Sequence, residues 1–225
     1  TNTPEVLTDA TADLTWALLL ATARRIVEGD ALVRSGHWTG WSPTQLLGAD
    51  VAGKVLGIIG MGRIGQAVAQ RAAGFRMTVL YHQRQPMPAA TGPQEWEHRS
   101  LQDLLKEADI VTVHVPLTPA TRHLIGAREL SWMKPTSFLI NTARGPIVDE
   151  GALVEALANG TISGAGLDVY EEEPALHPAL ARLQQVVLLP HIGSATLQAR
   201  QKMGLICLEN IRAVLDGRPA PNQIH

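Results

Sequence analysis

Residues 55–65 have the sequence VLGIIGMGRIG, an apolar run followed at once by three glycines with the spacing G-x-G-x-x-G. The run is typical of a buried strand, and the residues after Gly65 have a helical pattern. In such a unit the first glycine permits a tight turn, the second lets the backbone approach a pyrophosphate, and the third lets the helix pack on the strand. We predict that Gly60, Gly62 and Gly65 bind a dinucleotide at the helix N-terminus. A plain tight turn is the alternative.

Apolar runs alternate with helical patterns along the rest of the chain. After 55–59 the runs lie at 77–81, 110–115, 137–140, 164–169 and 186–189. Ser100 and Asp149 are predicted helix caps, and the last helix is predicted at 195–215. This alternation predicts right-handed βαβ crossovers and therefore an α/β fold with a doubly wound parallel sheet of six strands, a Rossmann-like dinucleotide-binding domain.

The segment before the first strand predicts one long amphipathic helix. Its proposed buried face carries Leu14, Ala17, Leu18 and Ala21, which are spaced i, i+3, i+4 and i+7. Residues 34–49 are predicted to form an irregular connection. From the residues alone, Trp38 and Trp41 would anchor this connection in the core.

Composition excludes several function classes. The 225 residues contain 19 basic and 21 acidic side chains, and the resulting net charge of −2 gives no electrostatic footprint for nucleic acid. The longest mainly apolar stretch, 14–23, is about half a membrane span. The single cysteine, Cys207, excludes an internal disulfide and fits a reducing compartment, so we expect a cytoplasmic protein. We predict no metal site.

The second predicted strand indicates which nicotinamide cofactor binds. Residues 79–84 read VLYHQR, without the acidic residue that would bind a ribose 2′-hydroxyl. The absence of an acid, with Arg84 at hand, favours a 2′-phosphate through a charge-assisted contact. We therefore predict NADPH/NADP as cofactor, with NADH weaker. Alternatively, His82 and Arg84 are ordinary solvated loop residues.

Polar residues follow the later strands, whose carboxyl ends meet at the edge that holds the phosphate loop. Arg144 could hold the carboxylate of a 2-oxo acid, and His191 could protonate its carbonyl oxygen. Glu173, in the run 171–173, could stabilise the His191 imidazolium. Each residue has a simpler alternative: His191 as a structural histidine, the glutamate run as a solvated turn, and Asp168 as a cap of a neighbouring loop.

Five segments together resemble the D-isomer-specific 2-hydroxyacid dehydrogenases. They are GIIGMGRIG at 57–65, HVPLT at 114–118, INTARG at 140–145, GAGLDV at 164–169 and LPHIG at 189–193. Residues 2–8, 38–41, 84–86 and 191–196 are most similar to the glyoxylate/hydroxypyruvate reductase branch. The resemblance implies NADPH-preferring reduction of glyoxylate and hydroxypyruvate to glycolate and D-glycerate. Its alternatives are another dehydrogenase of the family or a non-catalytic, dinucleotide-sensing protein like the family's corepressors.

The resemblance also implies roles for individual residues. His191 would be the proton donor and acceptor, Glu173 its carboxylate partner, and Arg144 the group that binds and polarises the substrate. The remaining expected contacts are Gly62, Arg63 and Ile64 to the pyrophosphate, Arg84 to the 2′-phosphate, Asp168 to the nicotinamide carboxamide, Pro116, Thr142 and Gly193 to the rest of the cofactor, Ser194 near the substrate, and Trp41 limiting substrate size from a partner subunit.

The resemblance further implies a homodimer and a second, smaller domain. We expect residues 1–194 to form the dinucleotide-binding domain, with its first helix and connection at the dimer interface. Residues 195–225 would form a helix and tail that pack on the substrate domain. The chain opens Thr1-Asn2-Thr3-Pro4, and we expect an N-terminally truncated protein that lacks most of the substrate domain.

Overall fold

Parallel strands alternate with helices, as the sequence predicts. The computed structural model describes residues 1–87 and 96–224. The described residues form seven strands: β1 (Val55–Ile59), β2 (Thr78–His82), β3 (Glu97–His98), β4 (Ile110–Val113), β5 (Phe138–Asn141), β6 (Gly164–Leu167) and β7 (Val186–Leu188). They pair in parallel in the order β3-β2-β1-β4-β5-β6-β7. The order reverses between β1 and β4, and a ligand crevice is expected outside the carboxyl ends of the strands at that point.

Helices connect the strands and cover both faces of the sheet. They are α1 (Thr8–Ala23), α2 (Ile26–Arg34), α3 (Arg63–Ala72), α4 (Leu101–Glu107), α5 (Ala127–Trp132), α6 (Glu150–Ala158) and α7 (Leu197–Leu215), with 3₁₀ turns at Ala73–Phe75, Gly145–Ile147 and Leu180–Arg182. Both predicted caps are confirmed, because the side chains of Ser100 and Asp149 accept backbone N–H bonds at the starts of α4 and α6. No helix within these residues combines the length and apolar character needed to cross a bilayer.

The core has two halves, one on each side of the sheet. Side chains of α1 and α3, such as Trp16 and Val68, pack on one face, and side chains of α4, α5 and α6, such as Leu104 and Leu153, pack on the other. The central strands are therefore buried on both faces, which is why they are continuous apolar runs in the sequence.

The structure corrects the predicted number of strands. A seventh strand, β3, consists of Glu97 and His98 at the edge of the sheet beside β2. The prediction of six strands missed it because an exposed two-residue edge strand has no apolar run. The six predicted strands are present, with bounds that shift by no more than two residues.

The predicted buried face of the first helix is only partly correct, since Leu18 is buried but Ala17 is not. The helical segment divides at Arg25, which has a φ of 54°, into α1 and α2. In α1 Ala17 is exposed, whereas Thr11, Thr15 and Thr22 are buried with their apolar neighbours. Threonine can be buried here because its hydroxyl is satisfied locally: Thr15 and Thr22 each donate to the carbonyl four residues earlier, at 2.8 Å.

The core interpretation of Trp38 and Trp41 is also wrong. Trp41 is 83% exposed and Trp38 is 51% exposed. Residues 35–45 of the connection from α2 to β1 are exposed, and Val51 near its end packs in the core. Trp41 therefore makes little contact with its own chain.

Candidate functional site

The glycine-rich loop between β1 and α3 is built as its sequence predicts. Gly60 has a φ of 99°, and a Cβ atom there would lie 2.7 Å from the carbonyl carbon of His114. A Cβ on Gly65 would lie 2.2 Å from the carbonyl oxygen of Gly60. Side chains are thus excluded at the turn and at the contact between loop and helix.

The N-terminus of α3 is suited to an anion. Gly62 is the N-cap residue, so no side chain caps the start of α3. A Cβ atom added to Gly62 would meet no atom within 4 Å. The first backbone N–H groups of α3, starting at Arg63 and Ile64, have no partner within the helix and lie at the positive end of the helix dipole. This arrangement fits the pyrophosphate of a dinucleotide.

The other predicted cofactor residues lie around the same edge. Arg84 is exposed just after β2 and is flanked by Gln83 and Gln85. Pro116 is exposed after β4. Thr142 is different, since it is buried after β5 and its hydroxyl lies 2.9 Å from that of Thr15 on α1.

His191 and Glu173, which the sequence separates by 18 residues, form a pair. His191 Nδ1 lies 2.8 Å from Glu173 Oε2, and the second carboxylate oxygen of Glu173 accepts the N–H of Tyr170 at 3.0 Å. A carboxylate on Nδ1 fixes the orientation of the imidazole ring. Since Nδ1 is engaged, Nε2 is the ring nitrogen available to a substrate.

Asp168 holds the loop that carries His191. Its side chain is fully buried, and its two oxygens accept the N–H groups of Ile192 and Gly193 at 2.8 and 2.7 Å. His191 itself has a φ of 54°, in the left-handed region that non-glycine residues seldom occupy. Asp168 thus stabilises an unusual backbone conformation at the proposed proton donor. The contact of Asp168 with a nicotinamide stays a prediction.

The two carboxyl groups of the site differ in their electrostatics. Burial alone would raise the pKa of Glu173, but hydrogen bonds from His191 and the Tyr170 N–H, with the nearby charge of Arg144, lower it overall. Burial raises the pKa of Asp168, although the N–H groups of Ile192 and Gly193 oppose that shift. Glu173 is therefore the better partner for an imidazolium.

Arg144 follows β5 on a turn that contacts the Glu173 loop. The guanidinium is exposed at the edge, as a carboxylate-binding group requires. The next residue, Gly145, packs against the neighbouring loop so closely that a Cβ would lie 1.8 Å from the carbonyl oxygen of Tyr170. The turn that carries Arg144 and the loop that carries Glu173 are therefore fixed against each other.

Two groups of supporting residues were missed by the sequence reasoning. Thr11 and Thr15 of α1 contact residues of the site. Thr11 donates its hydroxyl to the Gly193 carbonyl at 3.2 Å, and the hydroxyls of Thr15 and Thr142 are hydrogen-bonded to each other. The Tyr170 hydroxyl donates to the Leu189 carbonyl at 2.7 Å, and burial raises the pKa of this phenol to about 12. Thr11 and Thr15 are polar residues at i and i+4 on an otherwise apolar helix face, and this spacing could have indicated that they contact other polar groups.

The remaining predicted residues are Ser194 and Trp41. Ser194 is half-buried three residues after His191, and its place near the substrate stays a prediction. Trp41 is not part of the edge that its own chain forms, because it projects from the α2–β1 connection. The edge as a whole combines an anion-binding helix terminus, a cationic fork and a histidine–carboxylate pair. It can bind a dinucleotide and a small carboxylate and transfer a proton to a carbonyl oxygen.

Comparison with known proteins agrees with this geometry. Residues 16–193 match the family model described as D-isomer specific 2-hydroxyacid dehydrogenase, NAD binding domain. The whole chain is 53% identical to a glyoxylate reductase of Thermococcus litoralis and 51% identical to one of Aeropyrum pernix, and it covers 69% of each. It is similar to the crystal structure of the TT0316 protein from Thermus thermophilus, with 53% identity and a TM-score of 0.93 over the whole chain and 71% of that protein. An NADPH-dependent glyoxylate/hydroxypyruvate reductase of Sinorhizobium meliloti, solved with NADP and malonate, has 38% identity and a TM-score of 0.92 over the whole chain and 69% of its own.

Proposed function

The chain belongs to the D-isomer specific 2-hydroxyacid dehydrogenase family, whose NAD-binding domain it carries, and we propose that it takes part in the NADPH-preferring reduction of glyoxylate and hydroxypyruvate. The products would be glycolate and D-glycerate. The observation that carries this proposal is the His191–Glu173 pair, held beside Arg144 at the edge that also presents the phosphate loop. The glyoxylate reductases that share about half of its residues support the choice of substrate.

In the proposed reaction each residue has one task. Arg144 binds the substrate carboxylate and polarises the adjacent carbonyl group. His191 donates the proton on Nε2 to the carbonyl oxygen, and Glu173 stabilises the imidazolium before that transfer. The loop from Gly60 to Gly65 would hold the pyrophosphate of NADPH, whose reduced nicotinamide would supply the hydride. The sum is one 2-oxo acid, one NADPH and one proton giving one 2-hydroxy acid and NADP⁺.

A panel of 2-oxo acids tests the proposal. With NADPH present, the absorbance of the reduced cofactor should fall on addition of glyoxylate or hydroxypyruvate to the complete protein. Turnover of other 2-oxo acids alone would indicate a different dehydrogenase of the family. Tight cofactor binding without turnover of any 2-oxo acid would contradict the proposal and favour the dinucleotide-sensing alternative.

The preference for NADPH is proposed from Arg84. This side chain is exposed beside two glutamines, so no carboxylate next to it would repel a 2′-phosphate. We expect that Arg84→Ala raises the KM for NADPH about 10-fold or more while the KM for NADH changes less than 2-fold, since a hydrogen bond to a charged group is worth about 1.5–3 kcal/mol. Steady-state kinetics with both cofactors measure this. Equal effects on the two KM values would show that Arg84 does not select the cofactor, and Arg76→Ala is the control for loss of a surface charge.

We also propose the homodimer and the domain arrangement that the family likeness implies. The exposed side chains of Val27 and Val33 on α2, with Trp41, support an interface with a second copy, through which Trp41 would reach the partner's substrate site. Residues 195–225 would contact a substrate domain, because Leu205 and Leu208 are exposed on α7. Sedimentation equilibrium at twice the chain mass would support the dimer, and a monomer at micromolar concentration would contradict it. The single cysteine supports a cytoplasmic location.

A further inference from the structure

A second group of charged residues surrounds Glu171, two positions before Glu173. The Glu171 network consists of Arg122, His123, Glu150 and Glu171. Glu171 Oε1 lies 2.5 Å from His123 Nε2 and 3.4 Å from Arg122 Nη2. The backbone of Glu171 is held as well, since its N–H donates to Glu150 Oε1 at 2.6 Å, while the N–H of Glu150 donates to Glu171 Oε2 at 3.4 Å.

This arrangement differs from a solvated acidic turn. The Glu171 side chain is only 20% exposed, and Glu150 is buried at the start of α6. Burial raises the pKa of Glu150, the N–H of Glu171 opposes the shift, and the charge of Glu171 adds to it. Two carboxylates this close repel each other. Their proximity therefore depends on hydrogen bonds from His123, Arg122 and the two backbone N–H groups.

The network reaches the catalytic pair through one peptide group, between Tyr170 and Glu171. Its carbonyl oxygen packs against Gly145, and its N–H is bound by Glu150. The N–H of Tyr170, just before this peptide, donates to the Glu173 oxygen that does not face His191. Fixing this peptide therefore fixes the direction in which Glu173 points.

The same network is joined to the turn that carries Arg144. The backbone N–H of His123 donates to the carbonyl of Pro146 at 2.8 Å, and Ile125 pairs with Val148 as a parallel bridge. Segments 122–125, 144–150 and 170–173 are thus bound together.

We propose that Glu171 is a positioning residue, which with His123 and Glu150 holds the Tyr170–Glu173 loop so that Glu173 stays on His191. It touches neither substrate nor cofactor and acts through Glu173. The inference rests on the proposed function for its kinetic consequence only, because the position of Glu173 can be measured without turnover.

Glu171→Gln tests this role, because it keeps the shape of the side chain and removes the charge that His123 and Arg122 hold. We expect kcat for 2-oxo acid reduction by the complete protein to fall about 10-fold, since sub-ångström misplacement of a catalytic group is costly, with the KM for cofactor within 2-fold. The second variant, His123→Ala, should lower kcat in the same way.

A readout independent of activity is the pKa of Glu173, followed by ¹³C-carboxyl NMR in the 225-residue chain. The charged groups around Glu173 are His191, Arg144 and Asp168. If Glu171 positions Glu173, its replacement loosens the bonds from His191 and Tyr170, and the pKa of Glu173 rises. If Glu171 affects Glu173 only through the electrostatic repulsion between the two carboxylates, removal of its negative charge lowers the pKa of Glu173 instead. The two explanations therefore predict opposite signs.

Glu172→Gln is the matched control, because this neighbour on the same loop is exposed and within the described residues makes no side-chain hydrogen bond. It should leave kcat unchanged and should not raise the pKa of Glu173. A lowered or unchanged pKa of Glu173 in Glu171→Gln would overturn the positioning role. Absence of turnover in the unmodified protein would contradict the proposed function, while the NMR titration would still decide the role of Glu171.

Discussion

His191→Gln should lower kcat for reduction of a 2-oxo acid by about 10²–10⁴-fold, the usual contribution of a general acid. Glutamine can occupy the same space and can accept or donate a hydrogen bond, but it cannot give a proton to a developing alkoxide. The substitution leaves the phosphate loop and Arg144 untouched, so the dissociation constant for NADPH should stay within about 2-fold. Stopped-flow absorbance of NADPH and fluorescence titration measure these two quantities.

The matched control for this experiment is His37→Gln, which changes an exposed histidine on the α2–β1 connection. It should leave kcat unchanged. Glu173→Gln should lower kcat less than His191→Gln does. In that variant the imidazole keeps its proton-transfer nitrogen and loses only its carboxylate partner. A loss of less than 10-fold in His191→Gln would remove His191 from the mechanism.

Gly145→Ala should lower kcat by about 10²-fold or more although residue 145 has no reactive group. The new Cβ would lie 1.8 Å from the Tyr170 carbonyl oxygen and 2.5 Å from the Glu171 nitrogen, both of which are backbone atoms that cannot rotate away. Either the Arg144 turn or the Tyr170–Glu173 loop must move, and a displacement of about 1 Å costs on the order of 10² in rate. Steady-state kinetics with glyoxylate measure the effect.

Gly74→Ala controls for the chemical change itself, since a Cβ at residue 74 would meet no atom within 4 Å. That variant should keep the activity of the unmodified protein. Thermal unfolding of both variants separates local displacement from loss of the fold. Wild-type kcat in a folded Gly145→Ala protein would show that the contact between the two segments does not matter for catalysis.

The reactive residues could be predicted from sequence because parallel strands all end at one edge. Arg144, Asp168 and His191 each follow a buried apolar run, so their meeting required only the strand assignments. The buried face of the first helix could not be predicted in full in the same way. Its buried face includes Thr11 and Thr15, whose hydroxyls also contact residues more than 120 positions away.

The supporting residues were hidden for a related reason. His123 and Glu150 are ordinary charged residues in sequence, and only the folded backbone shows that both meet Glu171. β3 escaped prediction because two polar residues carry no periodicity. The hydrophobic pattern thus predicts the strands and which residues follow them at the site. The hydrogen bonds that orient those side chains depend on the folded backbone and cannot be predicted from that pattern.

The bond from Thr11 to the carbonyl of Gly193 joins residues 182 positions apart. During synthesis α1 emerges from the ribosome well before β5 and β6, two of the strands on which it packs. Contacts between such distant parts of a chain form late, because closing a long loop costs entropy before any contact repays it. The catalytic edge should therefore be the last region of the nascent chain to become protected from proteases, and cofactor binding would report completed folding rather than guide its early steps.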